Sequence, residues 1–241
     1  MAAYLLMLSV GVVAGVVGGV LGTGSSMLLV PLLVWNFGPK QAVAVMAVAS
    51  VVGNASRVAA WWRLVDIRAC LVFSLPAIPA VALGSQTMLA LPESLVNICL
   101  GLFFLLLIPY RRWARSKNFT LSLQQLAVAG LVIGYISGVV TGSGPLSVAA
   151  FSAYGLLKGA FISTEAAASF IVFFIKAITF RTMDALSLNM ALHGLILGGA
   201  MMTGTFLSKQ LLLRMNPDTH QALLDGMLFV SGLALLWAAF S

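Results

Sequence analysis

Charge is what this chain lacks. Only 8% of its 241 residues are Asp, Glu, Lys or Arg, against 61% hydrophobic, and a soluble globule of that size needs far more polar surface to cover it. Acids are scarcer still, 6 against 13 bases, so a carboxylate-lined cation site has little to be built from. Cys70 and Cys99 stand alone in apolar stretches, with no C-x-x-C and no His or Asp cluster beside them. That excludes a disulfide framework or a metal centre and leaves them as small buried hydrophobes. No G-x-x-x-x-G-K-[ST] occurs, so ATP is not the expected energy source; no metal or other cofactor is expected. The amino terminus has no basic stretch ahead of its first apolar run, which therefore reads as a retained membrane segment and not as a cleaved signal peptide.

What fills the chain instead is hydrophobic runs. They fall at roughly 3 to 21, 25 to 37, 40 to 62, 67 to 90, 93 to 110, 121 to 141, 144 to 157, 163 to 181, 186 to 210 and 219 to 240. Several reach the ~20 residues that a helix needs to cross the hydrocarbon core. The second and seventh do not, and each follows a Gly/Ser break, so each is expected to be half of a broken or re-entrant helix pair, with its irregular backbone buried or lining a wet cavity. Pro31 and Pro145 lie within or at the start of these halves, and a proline in a first helical turn loses no needed donor.

Basic residues give an orientation. Arg63 and Arg68, Arg111, Arg112, Arg115 and Lys117, and Lys209 and Arg214 mark every second connection. Placing these connections, with Lys158, in the cytoplasm satisfies the positive-inside rule and leaves both termini, with Glu93, on the outer side of the inner cell membrane. Arg181 falls outside in this scheme, with Asp184 close in sequence to offset it. These topology-setting residues account for most of the net charge of +7, and nucleic acid is not needed to explain it. The expected class is an all-α, polytopic integral membrane protein: a first repeat at 1–110, a basic cytoplasmic linker at 111–120 and a second repeat at 121–241. Each half holds five segments, an odd number, so the halves enter the membrane from opposite sides as inverted-topology repeats. The lipid bilayer is one partner; the chain is compatible with a homodimer.

The halves also match residue by residue. Gly15, Gly19, Ser50 and Arg57 recur as Gly134, Gly138, Ser169 and Lys176, at 134 − 15, 138 − 19, 169 − 50 and 176 − 57, each 119. A duplicated interruption in an apolar chain is the best sequence pointer to a transporter's binding site. The first break supplies Thr23, Gly24, Ser25 and Ser26; the second supplies Thr141, Gly142, Ser143 and Gly144, with Ser147 one turn on. A broken helix leaves free N–H groups and partial positive charge at the start of its next half, which suits an anion. Glycine lets backbone approach the ligand, and hydroxyls donate without fixed charge. An oxyanion is the expected cargo. Small residues also serve simply to pack helices closely, and Gly15, Gly19, Gly134 and Gly138 fit that use.

Arg57 and Lys176 lie about six residues before the ends of their segments, some 9 Å at 1.5 Å per residue. Intramembrane cations are functional suspects, and inversion places one on either flank of a central site; snorkelling to the head groups is the alternative. Ser50, Asn54 and Arg57 share one helix face. His193 is expected to be a neutral, hydrogen-bonded helix contact, with a proton-coupling role as the alternative. Glu165, directly after Ser163 and Thr164, reads as an N-terminal cap of the eighth segment, and Asp225 is the remaining acid near membrane depth.

The pattern G-x-G-S-S-x-x-x-V-P-L-L at Gly22 to Leu33 and G-S-G-P-L at Gly142 to Leu146 resembles the two glycine-rich signatures of the TauE/SafE family of sulfite and organosulfonate exporters. Pro39-Lys40-Gln41-Ala42 and Ser163-Thr164-Glu165-Ala166 resemble its second recurring feature, a small turn into an alanine-rich helix. Ser25 and Ser26 stand where that family commonly has glycines. The resemblance implies an inverted-repeat transporter that moves a small sulfur-containing anion, usually outward, from a site between the glycine loops. Another small anion, such as a carboxylate, is the nearest alternative. A rival of another class is an intramembrane serine protease of rhomboid type: Trp62-Arg63, Gly142-Ser143-Gly144 and His193-Gly194 occur in the required order, with Ser143 as nucleophile and His193 as base. Thr141, in place of a glycine two before that serine, argues against it.

Overall fold

A computed structural model describes residues 2–21, 25–116, 120–141, 143–156, 158–212, 225–226, 229–230, 232–237 and 239. Gly22, Thr23, Gly24, Lys117, Gly142 and Arg214 lie outside the described residues. The described chain is helical and has no strand. Its elements are α1 (Ala2–Leu21), α2 (Ser25–Phe37), α3 (Pro39–Trp61), α4 (Ile67–Ala90), α5 (Glu93–Ser116), α6 (Leu123–Val139), α7 (Gly144–Ala153), α8 (Lys158–Thr182) and α9 (Leu188–Leu212). A single 3-10 turn, Trp62–Leu64, follows α3. Of the tenth apolar segment, residues 232–237 are helical.

The boundaries follow local chemistry. Gly38, at φ 79°, takes a left-handed conformation that ends α2, and Pro39 starts α3 where its missing N–H costs nothing. Asp66 caps α4 by accepting from the Ala69 N–H at 3.0 Å. Ser122 and Gln125 form a reciprocal capping box at the head of α6. Gly155, at φ 98°, turns the chain after α7. Two expected boundaries move. α5 runs on to Ser116, so Arg111, Arg112 and Arg115 lie on its last turns and not in a loop. α8 begins at Lys158, so Glu165 sits two turns inside the helix and caps nothing. The polar pair that suggested a start is absorbed elsewhere: Ser163 Oγ donates to the Gly159 carbonyl at 2.8 Å, and Thr164 Oγ1 accepts from the Asp66 N–H at 2.9 Å.

Among the described residues five helical stretches are long and apolar enough to cross a bilayer: Pro39–Leu64, Ile67–Ala90, Glu93–Tyr110, Gly159–Thr182 and Leu188–Ser208. Their outer faces are apolar, with Leu75, Leu83, Leu106, Ile196 and Leu207 exposed. That surface is tolerable only against lipid. Trp35, Trp62 and Trp113 are exposed near helix ends, where aromatic rings favour the head-group level. The chain is a multi-pass membrane protein.

Inside, α3 and α8 pack on each other at the centre; α9 lies against α3 and α4 against α8, while α1 packs along α9 and α6 along α4. Lipid gives apolar helices no reason to associate, so close van der Waals packing has to hold them together. Glycine supplies it. A Cβ on Gly134 would stand 2.8 Å from Ala77 Cα, and one on Gly138 would stand 2.5 Å from the Val81 carbonyl oxygen. Gly15 meets the backbone of Met201 just as closely. These three glycines are packing residues, and only Gly15 also borders the cavity described next.

Candidate functional site

A small cavity opens between the central helices, with about 40 Å³ of room for the centres of water-sized molecules. α2 contributes Ser25 and Ser26, the first residues of that helix. α3 contributes Ser50, Gly53, Asn54 and Arg57, so the polar stripe read from the sequence faces one space. α7 contributes its first residue, Gly144, and α8 contributes Glu165, Ser169 and Phe173. Gly15 and Gly18 of α1 and Met201 and Thr205 of α9 complete the wall. Residues from both copies of the break, and from the helices that follow each, thus meet in one cavity.

The starts of α2 and α7 both border it. Each offers N–H groups without an intrahelical partner and the positive end of a helix dipole. Ser147, one turn into α7, turns its hydroxyl back to the Gly144 carbonyl at 3.1 Å.

A hydrogen-bonded relay fixes the charged wall. Asn54 Nδ2 donates to the Ser50 carbonyl at 2.8 Å, and its Oδ1 accepts from the Arg57 guanidinium. The other arm of Arg57 reaches Glu165 Oε2 at 3.2 Å, and Ser169 Oγ donates to Glu165 Oε1 at 2.7 Å. The Arg57 side chain keeps 14% of its surface exposed, while Glu165 keeps 2%. Arg57 therefore does not snorkel away from the site; it is pinned at the cavity wall with its charge matched by a buried carboxylate. Charge-assisted bonds of this kind are among the stronger ones in proteins.

Other expected site residues lie elsewhere. Lys176 is fully buried and is not part of the cavity wall. Its ammonium donates to the carbonyls of Ser137 at 2.5 Å and Val140 at 3.1 Å, at the carboxyl end of α6. A cation there satisfies carbonyls that the ending helix leaves orphaned. The ring of Phe180 lies 5.6 Å from the same nitrogen. Ser143 Oγ sits 2.5 Å from Ser137 Oγ, and Thr141 is fully buried beside it in sequence. The Thr141 hydroxyl has no hydrogen-bond partner among the described residues. Thr23, Gly24 and Gly142 lie outside the described residues.

The protease geometry is not assembled. Ser143 is hydrogen-bonded to another serine and not to a histidine, while His193 Nδ1 lies 2.7 Å from the Asn189 carbonyl and its ring packs against Phe37. A hydroxyl nucleophile needs its base within hydrogen-bond reach.

Gly18, Gly53, Glu165, Phe173, Met201 and Thr205 belong to the wall without having been expected there. For Glu165 a signal existed: an acid within an apolar helix is a functional suspect by default. Misplacing the start of α8 hid it. Gly18, Gly53, Phe173 and Met201 carry no polar signature that sequence could separate from packing, and a single hydroxyl such as that of Thr205 is an ordinary feature of helix contacts in membranes.

No match emerges among curated proteins, and none among solved structures. A family model does match. The model described as "Sulfite exporter TauE/SafE" covers residues 7–235, which include both breaks, both polar helices and the whole cavity wall. The chain belongs to the TauE/SafE sulfite exporter family.

Proposed function

We propose that this protein is a secondary transporter that exports a small sulfur-containing oxyanion, sulfite or an organosulfonate, by alternating access. Its anion would lie in the cavity between the starts of α2 and α7, facing Arg57, with Ser25, Ser26, Ser50 and Asn54 as donors and Ser169 holding Glu165 at the wall. The observation that carries this reading is the convergence of two helix amino termini, several hydroxyls and one partly exposed guanidinium on a single space. Such a set holds an anion by oriented dipoles and leaves it free to depart.

Two inverted repeats, 1–110 and 121–241 joined by a basic cytoplasmic linker at 111–120, supply the moving parts. Support comes from the pattern of neighbours. Exchanging α1 with α6, α2 with α7, α3 with α8 and α4 with α9 maps the α1 and α9 contact onto that of α6 and α4, and the α3 and α9 contact onto that of α8 and α4. The α3 and α8 contact maps onto itself, as a contact on the repeat axis would. Rocking of one repeat against the other about such an axis is the usual route to alternating access. Lys176, the counterpart of Arg57, is sealed in protein while Arg57 keeps some exposure. We read this as a cavity open on the Arg57 side, which is cytoplasmic when both termini lie outside the inner membrane.

The test is flux through purified protein in proteoliposomes, with sulfite, sulfate, thiosulfate, a small sulfonate and a carboxylate offered in turn. Sulfite or sulfonate flux that the carboxylate does not compete away is expected. Flux of the carboxylate alone would replace the cargo; no flux of any of these anions would overturn the reading.

A further inference from the structure

We propose that Glu165 is a proton-binding site that couples anion movement to proton movement, one proton travelling with each anion. This rests on the cavity being an anion site, as argued above.

At the cavity wall Glu165 Oε2 faces the Arg57 guanidinium at 3.2 Å and Oε1 accepts from Ser169 Oγ at 2.7 Å, so the pair is neutral overall. An oxyanion entering the same cavity turns to the same guanidinium. Arg57 has donors enough for both, but the anion and the carboxylate then repel each other in a space largely shielded from water. Binding one proton on a Glu165 oxygen restores the neutrality of the empty site when the anion carries a single charge. The proton comes from a hydronium ion at the cavity mouth, whose O–H bond breaks to leave water as one forms on Glu165, and nothing is oxidised or reduced. The protonated carboxyl then has a hydrogen to donate, and an anion oxygen in the cavity can accept it.

Linkage fixes the sign of the coupling. If anion binding favours the proton, the proton favours the anion by the same factor. The two ligands bind cooperatively and cross together, which makes the protein a symporter and not an exchanger. An anion accumulated inside would leave with a proton.

The surroundings leave Arg57 as the charge that Glu165 answers to. At the other end of α3, Lys40 donates to the Leu89 carbonyl at 2.7 Å. In the turn before α4, the Asp66 carboxylate accepts from the Ala69 N–H and Arg63 is exposed over the Trp62 ring, while Arg68 is exposed in the first turn of α4. α4 itself adds Cys70, beside Ser74. α7 has no ionisable side chain, and α6 has only Tyr135, which faces Thr87. Along α8, Lys158 stands at the first residue, Lys176 is bonded to the α6 carbonyls, and Arg181 donates to the Leu186 carbonyl. The repeat counterpart of Glu165, at 165 − 119 = 46, is the buried Met46. One half only carries the carboxyl, which sets the stoichiometry at one.

The experiment uses the full chain in proteoliposomes that enclose a pH-sensitive dye, with sulfite as the probe, and compares wild type with Glu165→Gln. Sulfite titrates by itself, but equally for both proteins, so differences between them belong to the side chain. Wild type should bind sulfite more tightly as pH falls, by up to about tenfold per pH unit beyond the Gln variant, and should move more protons per sulfite than that variant. Equal pH slopes and equal proton flux in the two proteins would overturn the coupling while leaving sulfite transport intact; no sulfite flux in wild type removes the anion reading and the coupling together. A second measurement needs no variant. Infrared difference spectra of wild-type protein on adding sulfite at constant pH should gain the carbonyl stretch of a protonated carboxyl, and a spectrum without that band refutes the proposal.

Discussion

Replacing Arg57 by methionine separates what the ion pair does for folding from what the cation does for transport. The carboxylate of Glu165 is only 2% exposed. Removing one partner of a buried pair typically costs about 3–5 kcal/mol, because the other charge stays behind uncompensated. Ser169 Oγ still donates to Glu165 Oε1 at 2.7 Å, which places the loss near the lower end, about 3 kcal/mol. For a chain of this length that corresponds to a fall in Tm of roughly 6–12 °C. Adding Glu165→Gln to Arg57→Met removes the stranded charge, so the double variant should recover most of the lost stability. It should not recover sulfite flux, since the cation that faces the cavity is still missing. Thermal unfolding in detergent, followed by size-exclusion fluorescence, and flux in proteoliposomes read the two effects apart. An Arg57→Met protein as stable as wild type would refute the coupling of these two residues, and a double variant that transports normally would refute the role of the cation.

Gly138→Val would drive a branched side chain into the α4 backbone near Val81 and Ser85; overpacking of this kind costs about 1–3 kcal/mol, read as a lower Tm. Lys176→Met removes the ammonium from the Ser137 and Val140 carbonyls. It should destabilise by about 1–3 kcal/mol and weaken sulfite flux by loosening the second break, whereas wild-type flux and Tm together would show the lysine to be dispensable. The orientation is tested in a background with Cys70 and Cys99 replaced by alanine. Ser94→Cys, in an exposed position, should react with an impermeant maleimide on intact cells, and Arg63→Cys only after permeabilisation; the reverse pattern would invert the topology.

The class of this protein was legible in its composition, because a bilayer imposes a length and a polarity that few other environments require. Segment ends were legible within a residue or two where the apolar runs stop, and the structure shows what sets them: Gly38 before Pro39, Asp66 ahead of α4, and Ser122 with Gln125 ahead of α6. They were misread at α8, where Ser163 and Thr164 imitate a helix start but bond to an existing helix and to a neighbouring turn. The family was legible too, in G-x-G-S-S-x-x-x-V-P-L-L and in the second copy around Gly144, and the match over residues 7–235 agrees.

What sequence determined alone is therefore what local rules and composition control: helices, their apolar faces, the polar stripe from Ser50 through Asn54 to Arg57, and the duplicated spacing of 119. The partner of each charge was a matter for the tertiary structure. Arg57 and Lys176 occupy equivalent positions in the two halves, yet one faces a cavity beside Glu165 and the other is fastened to the end of α6. Sequence specifies that each intramembrane charge must find compensation, since leaving it bare in a low-dielectric interior is prohibitive. Which carbonyl or carboxylate provides it depends on contacts across 108 positions for Arg57 and 39 for Lys176, and only packing of the helices brings those groups together.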